Sequence, residues 1–520
     1  MGTNTTKLAN RVPTITEQNR KWWVVVAIGI AGILVSVDFN GLTVALPTIG
    51  RDLGISTTGL QWTINAYLLA FAAPMVAFGR LSDIFGRRRV LLIGITVFIA
   101  ASAFAGFSQS ELWLVSARVV QGLGAAAFFA ASLPIVSHAF PEKERGKGIA
   151  LWAAISGLGL AAGPLVGGVL TQMVSWRWFF FFNVPLAAVA VILTLAAVRE
   201  SRDETVGHHV DFGGLVTVTG GLVALVLAIQ QGDTLGWGSP FVIGALGAAV
   251  LLLAAFFVIE RRTDDPLIEL DLFANRDFLG ANAVGFVVNY GFGALLFYMT
   301  LYLQNILDYS PLRTGLVFLA FTVPLVALEA RTNDVSARLG VRNSMVGGMA
   351  LMAVAFVFLT RVTPTSGLVT VLVALVLAGT GIGVAYTLSN TVGMGALPDA
   401  KGGEASGVLG MVRLLGAVFG VAVTGALFKT LENEKLAELL VKAGAALDAS
   451  DRQEIKGLLS GSDAAEATLK HLAPEVESQV ERIVHVAFVS AFGRAMLLCM
   501  AVSILGVIAA YFIIEAASSE

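Results

Sequence analysis

The sequence predicts an all-α membrane protein that crosses the bilayer fourteen times. Charged residues make up only 13% of the 520 residues, whereas hydrophobic residues make up 56%. A soluble protein of this length carries about a quarter charged residues, so a bilayer is the solvent that explains the deficit. Apolar stretches of spanning length recur along the chain, and Lys and Arg are concentrated in alternate connecting segments. The mean hydropathy of +0.80 agrees with this fold class.

The number of spans follows from their length, because a helix needs about 20 apolar residues to cross a core of ~30 Å. Fourteen stretches qualify: 22–47, 60–79, 90–108, 112–138, 148–171, 178–198, 213–230, 241–260, 279–303, 314–331, 343–360, 367–391, 405–428 and 485–514. They predict two six-helix bundles with two extra central helices. The predicted domains are a cytoplasmic N-terminus (1–21), an N-terminal bundle (22–202), a linker with two spanning helices (203–277) and a C-terminal bundle (278–520).

The basic residues predict the orientation, because loops that stay in the cytoplasm are enriched in Lys and Arg. If the N-terminus is cytoplasmic, the short outer loops contain only Arg51, Arg177, Arg313 and Arg361. The inner segments contain Lys7, Arg11, Arg20, Lys21, Arg80, Arg87, Arg88, Arg89, Lys143, Arg145, Lys147, Arg199, Arg202, Arg261, Arg262, Arg276, Arg331, Arg338, Arg342 and Lys401. We therefore expect a multi-pass protein of the inner (plasma) membrane with both termini cytoplasmic. The first apolar stretch lacks a small-residue cleavage site, so we interpret it as a span rather than a cleaved signal.

Several classes of function are disfavoured by composition and by missing motifs. A net charge of −2 gives no reason to expect a nucleic-acid partner. The single cysteine, Cys499, excludes an internal disulfide and a cysteine-built metal site. The sequence contains no phosphate-binding loop of the Gly-x-x-x-x-Gly-Lys-Ser/Thr type, no His-Glu-x-x-His and no Gly-x-Ser-x-Gly. His208 and His209 form only a lone pair. We therefore expect no cofactor, no metal and no enzymatic activity.

One long connecting segment, 429–484, is predicted to be extracellular. Leu431, Leu436, Leu439 and Leu440 give it a helix-like apolar stripe. Ser450 with Gln453 and Asp463 with Glu466 resemble helix starts, and Pro474 suits the first turn of a helix that continues into the last span. The pattern favours an ordered helical hairpin, and a cap or lid over the transport path is the alternative.

The chain also contains an internal repeat. The segment GRLSDIFGRRRV (79–90) follows the second span, and NDVSARLGVRNS (333–344) follows the tenth. Gly86 aligns with Gly340, while Ala337 stands in the second copy where Asp83 stands in the first. Internal repeats of this kind are typical of transporters.

Five segments in order carry a family resemblance: DFNGLTVALP (38–47), GRLSDIFGRRR (79–89), RVVQGLGAAA (118–127), GLGLAAGPLVGG (157–168) and WRWFFFFNVP (176–185). With them the chain resembles the fourteen-helix drug:proton antiporter branch of the major facilitator superfamily, most strongly over residues 36–186. The resemblance implies a monomeric exporter of small lipophilic compounds, driven by protons across the bilayer. Two departures weaken any transfer of substrate: the first span reads DFNGLTVALP where the family more often has Thr-rich residues after the aspartate, and the second copy of the repeat is degenerate.

Two of these segments have structural roles in the family. The inner-loop segment latches the two halves in one conformation, which the resemblance implies for Gly79, Asp83, Gly86, Arg87 and Arg88. The two glycines suit a tight reversal, and Asp83 is expected to pair with a local arginine or with a helix N-terminus. Glu404 is an acidic residue that Arg87 or Arg88 would meet across the interface. The alternative is that the arginines only anchor the topology.

The antiporter motif in the fifth span places small residues at helical spacing. Gly159, Gly163 and Gly167 recur at steps of four, so a neighbouring helix is able to approach closely on that face. Pro164 favours a kink, and Gly168 extends the small surface. The resemblance implies that this motif seals the interface against leak, and ordinary helix packing is the alternative.

Four charges lie within predicted spans, where burial makes them costly. Asp38 lies nine residues before Pro47 and Arg118 lies seven residues after Glu111, which puts both roughly 10–14 Å below the outer ends of their spans. We expect them to meet, so that a proton on the aspartate or a cation displacing the arginine couples protons to substrate. The resemblance implies that both positions are functional. A permanent structural ion pair is the alternative.

The second pair of charges is deeper. Glu329 lies about 22 Å from the outer end of the tenth span, and Arg413 lies about 13 Å from the inner end of the thirteenth. Both therefore fall in the inner half of the membrane. An arginine is usual at the position of Arg413 in the family, whereas Glu329 is not part of the family pattern. Glu329 is either a substrate or proton site, or a solvated residue beside Arg331.

A lipophilic cation also requires apolar and aromatic walls with a few polar groups. The candidates for such a cavity are Gln61, Trp62, Asn65, Tyr67, Asn289 and Tyr290. Three functions remain open: a drug:proton antiporter, an exporter of an endogenous lipid or metabolite, and a non-transporting membrane sensor or scaffold. The inner-loop and antiporter motifs disfavour the last, because a scaffold does not need alternating access.

Overall fold

A computed structural model describes residues 15–202, 211–263, 266–398, 401–442 and 474–514. Long helices dominate these ranges. They are α1 (Arg20–Leu53), α2 (Thr57–Ala72), α3 (Met75–Phe85), α4 (Arg87–Gly106), α5 (Glu111–Ala139), α6 (Arg145–Met173), α7 (Arg177–Ala197), α8 (Phe212–Leu235), α9 (Pro240–Glu260), α10 (Arg276–Leu301), α11 (Pro311–Leu339), α12 (Val341–Leu359), α13 (Leu368–Gly395), α14 (Gly402–Lys442) and α15 (Pro474–Phe512).

The described helices confirm the predicted fold class. Thirteen are long and apolar enough to span a bilayer, and α2 with α3 makes a fourteenth span that bends by 43°. The bend lies at Pro74, which has no N–H to continue the backbone hydrogen bonds of α2. The protein is therefore a multi-pass membrane protein.

The two ends of the bundle use different residues to stop and start helices. At the end that carries the α1–α2 turn, here called the outer end, Ser56, Ser110, Ser239 and Ser310 accept a hydrogen bond from a backbone N–H in the first turn of α2, α5, α9 and α11. At the opposite, inner end, α3 joins α4 at Gly86 and α11 joins α12 at Gly340. These glycines have φ angles of 112° and 79°, which other residues rarely adopt. The repeat seen in the sequence therefore forms the same turn twice.

The helices pack in two groups joined by a linker pair. In the first group α1 packs on α6 and α7, and α5 packs on α2 and α4. In the second, α10 packs on α14 and α13, and α12 packs on α13 and α15. The groups meet along α6 with α11 and along α2 and α3 with α14, while α8 and α9 pack on each other and α8 also contacts α14.

The long segment 429–484 is helical at both of its described ends. α14 is described as far as Lys442, and α15 is described from Pro474 onward and continues into the last span. Leu436 and Leu440 of α14 pack on Val480 and Val484 of α15 in a small core of their own. The predicted helix starts at Ser450 and Asp463 lie outside the described residues.

Candidate functional site

Asp38 and Arg118 form an ion pair in the core of the first helical group. The Arg118 Nη1 atom lies 2.5 Å from the Asp38 Oδ2 atom, and neither side chain has any exposed surface. α1 supplies the aspartate and α5 supplies the arginine. Asp38 and Arg118, which the sequence places at similar depths below the outer ends of their spans, are therefore in contact in the structure.

Neutral polar side chains form hydrogen bonds with both members of this ion pair. Gln121 accepts from Arg118 Nη1 at 2.6 Å and donates to Asp38 Oδ1 at 2.8 Å. Asn183 of α7 donates to the same aspartate oxygen at 3.2 Å and to the Ser102 hydroxyl at 3.1 Å. The carboxylate is thus held by three donors from two helices.

The arginine has further contacts that fix its position. Its Nε donates to the Thr63 carbonyl at 3.1 Å, and its guanidinium carbon lies 4.1 Å from the centre of the Tyr67 ring. Its Nη2 atom is buried without a hydrogen-bond partner among the described residues. Removing one partner of such a pair costs about 3–5 kcal/mol, because the other charge stays buried. Neutralising Asp38 therefore forces Arg118 to find a new partner.

Glu329 and Arg413 do not pair with each other in this conformation. Glu329, on α11, is partly exposed, and no ion pair or hydrogen bond to it occurs within the described ranges. Its carboxylate lies 3.9 Å from the point where a Cβ would stand on Gly157 of α6, so it faces the interface between the two groups. This leaves a carboxylate available to a cation.

Arg413, on α14, is buried with little compensation. Its Nη2 donates to the Ser389 hydroxyl at 3.3 Å, and its guanidinium lies 4.5 Å from the centre of the Tyr386 ring. Its Nε is buried without a hydrogen-bond partner among the residues described. The second group therefore holds an arginine and a carboxylate apart, whereas the first group holds them together.

Aromatic side chains form two series of ring contacts that cross from one helix to the next. The ring of Phe39 of α1 is tilted against that of Phe292 of α10, with centres 5.5 Å apart, and Phe292 is tilted against Phe321 of α11 at the same distance. A second chain of rings joins Phe71 to Phe129 and Phe129 to Trp152, at 5.5 and 5.9 Å. Such walls suit a lipophilic compound.

The predicted cavity residues divide between several surroundings. Trp62 and Asn289 are partly exposed, while Gln61, Asn65, Tyr67 and Tyr290 are buried. Tyr67 packs on Arg118, and Tyr290 hydrogen-bonds Thr424 at 3.0 Å. Asn65 is fully buried, and both polar atoms of its side chain lack a hydrogen-bond partner among the described residues.

Hydrogen bonds between the two groups hold the outer ends together. Gln61 of α2 donates to the Tyr298 hydroxyl at 3.0 Å. Gln304, in the π-helical turn after α10, donates to the Val44 carbonyl at 2.8 Å. The Leu312 N–H of α11 donates to the Gln172 side chain of α6 at 3.0 Å. This conformation is therefore closed at the outer end.

A polar cluster joins the linker pair to this closure. Lys429 of α14 donates to Thr58 of α2 at 3.1 Å and to Thr234 of α8 at 2.7 Å. Asp233 of α8 accepts from Thr430 at 3.0 Å and from Asn433 at 3.1 Å. Hydrogen bonds therefore join the linker helix α8 to α14 at the outer end, and Lys429 also joins α14 to α2 of the first group.

The glycines of α6 face two different helices. A Cβ on Gly159 would stand 2.8 Å from the Ile33 backbone, and one on Gly167 would stand 2.1 Å from the Gly41 carbonyl oxygen, both on α1. A Cβ on Gly168 would instead stand 2.5 Å from the Pro311 carbonyl oxygen of α11. The first face packs within one group, and Gly168 packs across the interface. Gly163 belongs to the first face, and the Pro164 carbonyl faces Gly315 of α11.

The inner-loop residues make mostly local contacts. Asp83 pairs with Arg87 at 2.7 Å across the Gly86 turn. Glu200, after α7, accepts from the backbone N–H groups of Arg88 and Arg89 at 3.0 and 3.2 Å, so it caps α4. Gly79 does not form a turn: it lies within α3, and nothing stands within 4 Å of its Cβ position.

Glu404 differs from its predicted position. It accepts a hydrogen bond of 2.8 Å from the Glu269 N–H, and the basic charges that act on it are those of Lys401 and Arg80. Arg88 points away, because its side chain donates to the Leu195 carbonyl of α7 at 3.0 Å. In this conformation neither Arg87 nor Arg88 meets Glu404.

Sequence reasoning missed the residues that orient Asp38. Gln121, Ser102 and Asn183 are neutral, so a search for intramembrane charge passes over them. A signal existed for Gln121, which lies three residues after Arg118 and therefore on the same helix face. Asn183 interrupts an apolar run directly after four phenylalanines, which is also unusual for a spanning helix.

In the described residues, up to fourteen spans form two packed groups, and the first group holds a buried ion pair in its core; this arrangement defines a class of multi-pass membrane proteins. The family model of the Major Facilitator Superfamily matches residues 28–213 and 212–421, and the chain belongs to this family of transporters. A crystal structure of a bacterial homolog to the human lysosomal transporter Spinster, inward-facing and unoccupied, has the same fold. Its TM-score is 0.64 over 96% of this chain and 99% of that chain, at 16% identity.

Three relatives show what the chain is similar to in sequence. The puromycin resistance protein pur8 of Streptomyces alboniger is 37% identical over 415 residues, which cover 78% of this chain and 81% of that protein. The multidrug resistance protein Stp of Mycobacterium tuberculosis is 34% identical over 77% of this chain and 74% of that protein. The tetracenomycin C resistance and export protein of Streptomyces glaucescens is 29% identical over 98% of this chain and 94% of that protein.

Proposed function

We propose that this protein is a proton-coupled antiporter that exports lipophilic, cationic drugs or dyes by alternating access. Relatives named for drug resistance and export support the exporter class. The observation that carries the coupling is the ion pair of Asp38 with Arg118, in which neither side chain has exposed surface. When a carboxylate that is paired with one buried cation takes up a proton, the net charge of the buried pair changes from zero to +1, and the cation loses its counter-charge.

Asp38 carries the proton in this mechanism. When Asp38 is protonated, its electrostatic attraction to Arg118 is lost. The guanidinium is then free to move so that its Nη2 atom, which has no hydrogen-bond partner in this conformation, finds an acceptor. Gln121 and Asn183 keep the carboxyl oriented in both protonation states, because both amides donate to Oδ1, which still accepts when the proton is on Oδ2. A change in the protonation of Asp38 on α1 thus changes the position of Arg118 on α5.

Glu329 selects the substrate. It is a partly exposed carboxylate without an ion-pair partner in the described ranges, two turns along α11 from Phe321. A lipophilic cation would place its charge at Glu329 and its apolar body against the rings of Phe292 and Phe321. Release outward requires that the outer contacts of Gln61, Gln304 and Gln172 separate.

The test uses protein reconstituted in liposomes with a pH-sensitive dye inside. A proton gradient is imposed, and ethidium is added outside. The wild type is expected to move protons when ethidium is added. Asp38→Asn is expected to abolish this proton movement while leaving ethidium binding intact, and Glu329→Gln is expected to weaken ethidium binding.

A matched control replaces a carboxylate outside the proposed path. Asp52 pairs with Arg177 at the outer end, so Asp52→Asn removes a carboxylate and keeps the proposed path unchanged. Full coupling is expected in this variant. An absence of proton movement with any cation, in folded wild-type protein, refutes the drug-antiport proposal and favours an endogenous lipid or metabolite as the substrate.

A further inference from the structure

Two carboxylates from the linker pair meet at the inner end of the bundle. Asp211 caps α8, where its Oδ1 accepts a hydrogen bond of 2.8 Å from the Gly214 N–H. Glu260 is the last residue of α9 and is only 4% exposed. Its Oε2 accepts a hydrogen bond of 3.0 Å from the Ile268 N–H. One oxygen of each carboxylate thus accepts a hydrogen bond from a backbone N–H.

The second oxygens of the two groups converge. Asp211 Oδ2 and Glu260 Oε1 are both buried, and neither has a hydrogen-bond partner in the described part of the chain. Both lie 2.5 Å from the point where a Cβ would stand on Gly214, so both border the space that the absent side chain of this glycine leaves open. Two ionised carboxylates in this arrangement would repel each other without any hydrogen bond in return.

Among the described residues, no compensating cation acts on Glu260. The charged side chains that act on Glu260 are those of Asp211 and Glu404, which are both acidic. Arg261 and Arg262, which follow Glu260 directly, have exposed side chains. Lys401 forms an ion pair with Glu269 instead. Arg80 and Lys401 act on Glu404 rather than on Glu260.

We infer that Asp211 and Glu260 share one proton, which lies between Asp211 Oδ2 and Glu260 Oε1. This proton-binding site is separate from the Asp38–Arg118 pair and does not depend on the proposed transport function. Two carboxyl groups that share a site retain one proton far more readily than either group alone. The shared proton gives both orphan oxygens a partner.

The shared proton links Asp211, which caps the first turn of α8, to Glu260, the last residue of α9. Because Glu260 also accepts from the Ile268 N–H, the segment at Ile268 is joined to both helices. Glu404 holds the Glu269 N–H next to it, so this segment connects the linker pair to the start of α14. When the proton is lost, the two carboxylates separate and the hydrogen bonds to Gly214 and Ile268 weaken. With the predicted orientation, the linker pair then responds to cytoplasmic pH.

The test is hydrogen–deuterium exchange of the full-length protein in nanodiscs across neutral pH. After correction for intrinsic exchange, protection of the peptides that contain Gly214 and Ile268 should fall as pH rises, by up to about tenfold per pH unit for loss of one proton. Glu260→Gln should remove this dependence, because a glutamine amide donates to Asp211 Oδ2 at every pH. Infrared spectra should show a protonated carboxyl band in the wild type that Glu260→Gln removes.

Two controls keep the result decisive. Glu269→Gln removes a nearby carboxylate that already has a cationic partner, and it should leave the pH dependence unchanged. Asp211→Asn keeps the helix cap, since Asn caps as well as Asp, and should abolish the dependence as Glu260→Gln does. The same pH dependence in the wild type and both acid-pair variants overturns the inference. Stabilisation by added Na⁺ or Mg²⁺ that both variants lose also overturns it, because a metal ion would then occupy the site.

Discussion

A methyl group on Gly168 should open the outer end of the transporter. Its Cβ would stand 2.5 Å from the Pro311 carbonyl oxygen and 3.1 Å from the Leu312 Cα of α11. These are backbone atoms, so they cannot move aside as a side-chain tip does. The clash exists only while the outer ends are together, because α6 and α11 belong to different helical groups. Gly168→Ala therefore raises the free energy of the outer-closed state alone.

The expected size of the shift follows from the cost of overpacking. Extra methyl groups in a well-packed region cost about 1–3 kcal/mol. Applied to one of two conformations, this cost changes their ratio by roughly 5- to 150-fold. Gly167→Ala is the matched variant, because its Cβ would stand 2.1 Å from the Gly41 carbonyl oxygen of α1, within the same group. It should lower the stability of the fold and leave the ratio of conformations unchanged.

The assay is a distance measurement between spin labels at the outer ends of α6 and α11. Met173 is 72% exposed and Arg313 is exposed, so cysteines at these positions accept labels, whereas the native Cys499 is buried. Gly168→Ala should increase the population with a long distance, and Gly167→Ala should not. An unchanged distribution in folded Gly168→Ala, or an equal change in both variants, would refute the assignment of Gly168 to the interface.

Three further perturbations test the site and the turns. Arg118→Gln should lower the free energy of unfolding by about 3–5 kcal/mol, and adding Asp38→Asn should restore most of it, as measured by thermal denaturation in detergent. Gly86→Ala should cost about 1–3 kcal/mol in the same assay because of its φ of 112°, whereas Gly79→Ala should cost nothing measurable. Lys429→Met should remove about 1.5–3 kcal/mol from the outer closure, measured as faster labelling of an outer cysteine.

The spans were predictable because bilayer length and hydropathy leave few alternatives. The break at Pro74 was not predicted, although proline within an apolar run often marks a bend. Asp38 and Arg118 were placed together by counting residues from the span ends, which works because the helical rise is constant. The count gives depth alone, so it did not reveal that Gln121 and Asn183 turn toward the aspartate.

Contacts between the two groups were beyond sequence reasoning. Glu404 was expected near Arg87 or Arg88, but the Arg87 side chain pairs with Asp83 and the Arg88 side chain donates to the Leu195 carbonyl of α7. Which loop residue faces which helix depends on the rotation of each helix about its axis, and that rotation is set by packing. The approach of Asp211 and Glu260 to the same point beside Gly214 has the same origin, since these residues are far apart in sequence and α8 packs on α9.

Substrate-induced proton release tests the central claim most directly. Ethidium is added to purified protein in weakly buffered detergent solution, and a pH indicator reports the protons released. If Asp38 carries the coupled proton, the wild type releases protons when ethidium binds and Asp38→Asn binds ethidium with no release. An equal release in Asp38→Asn would contradict the account, because the coupled proton would then reside on another group.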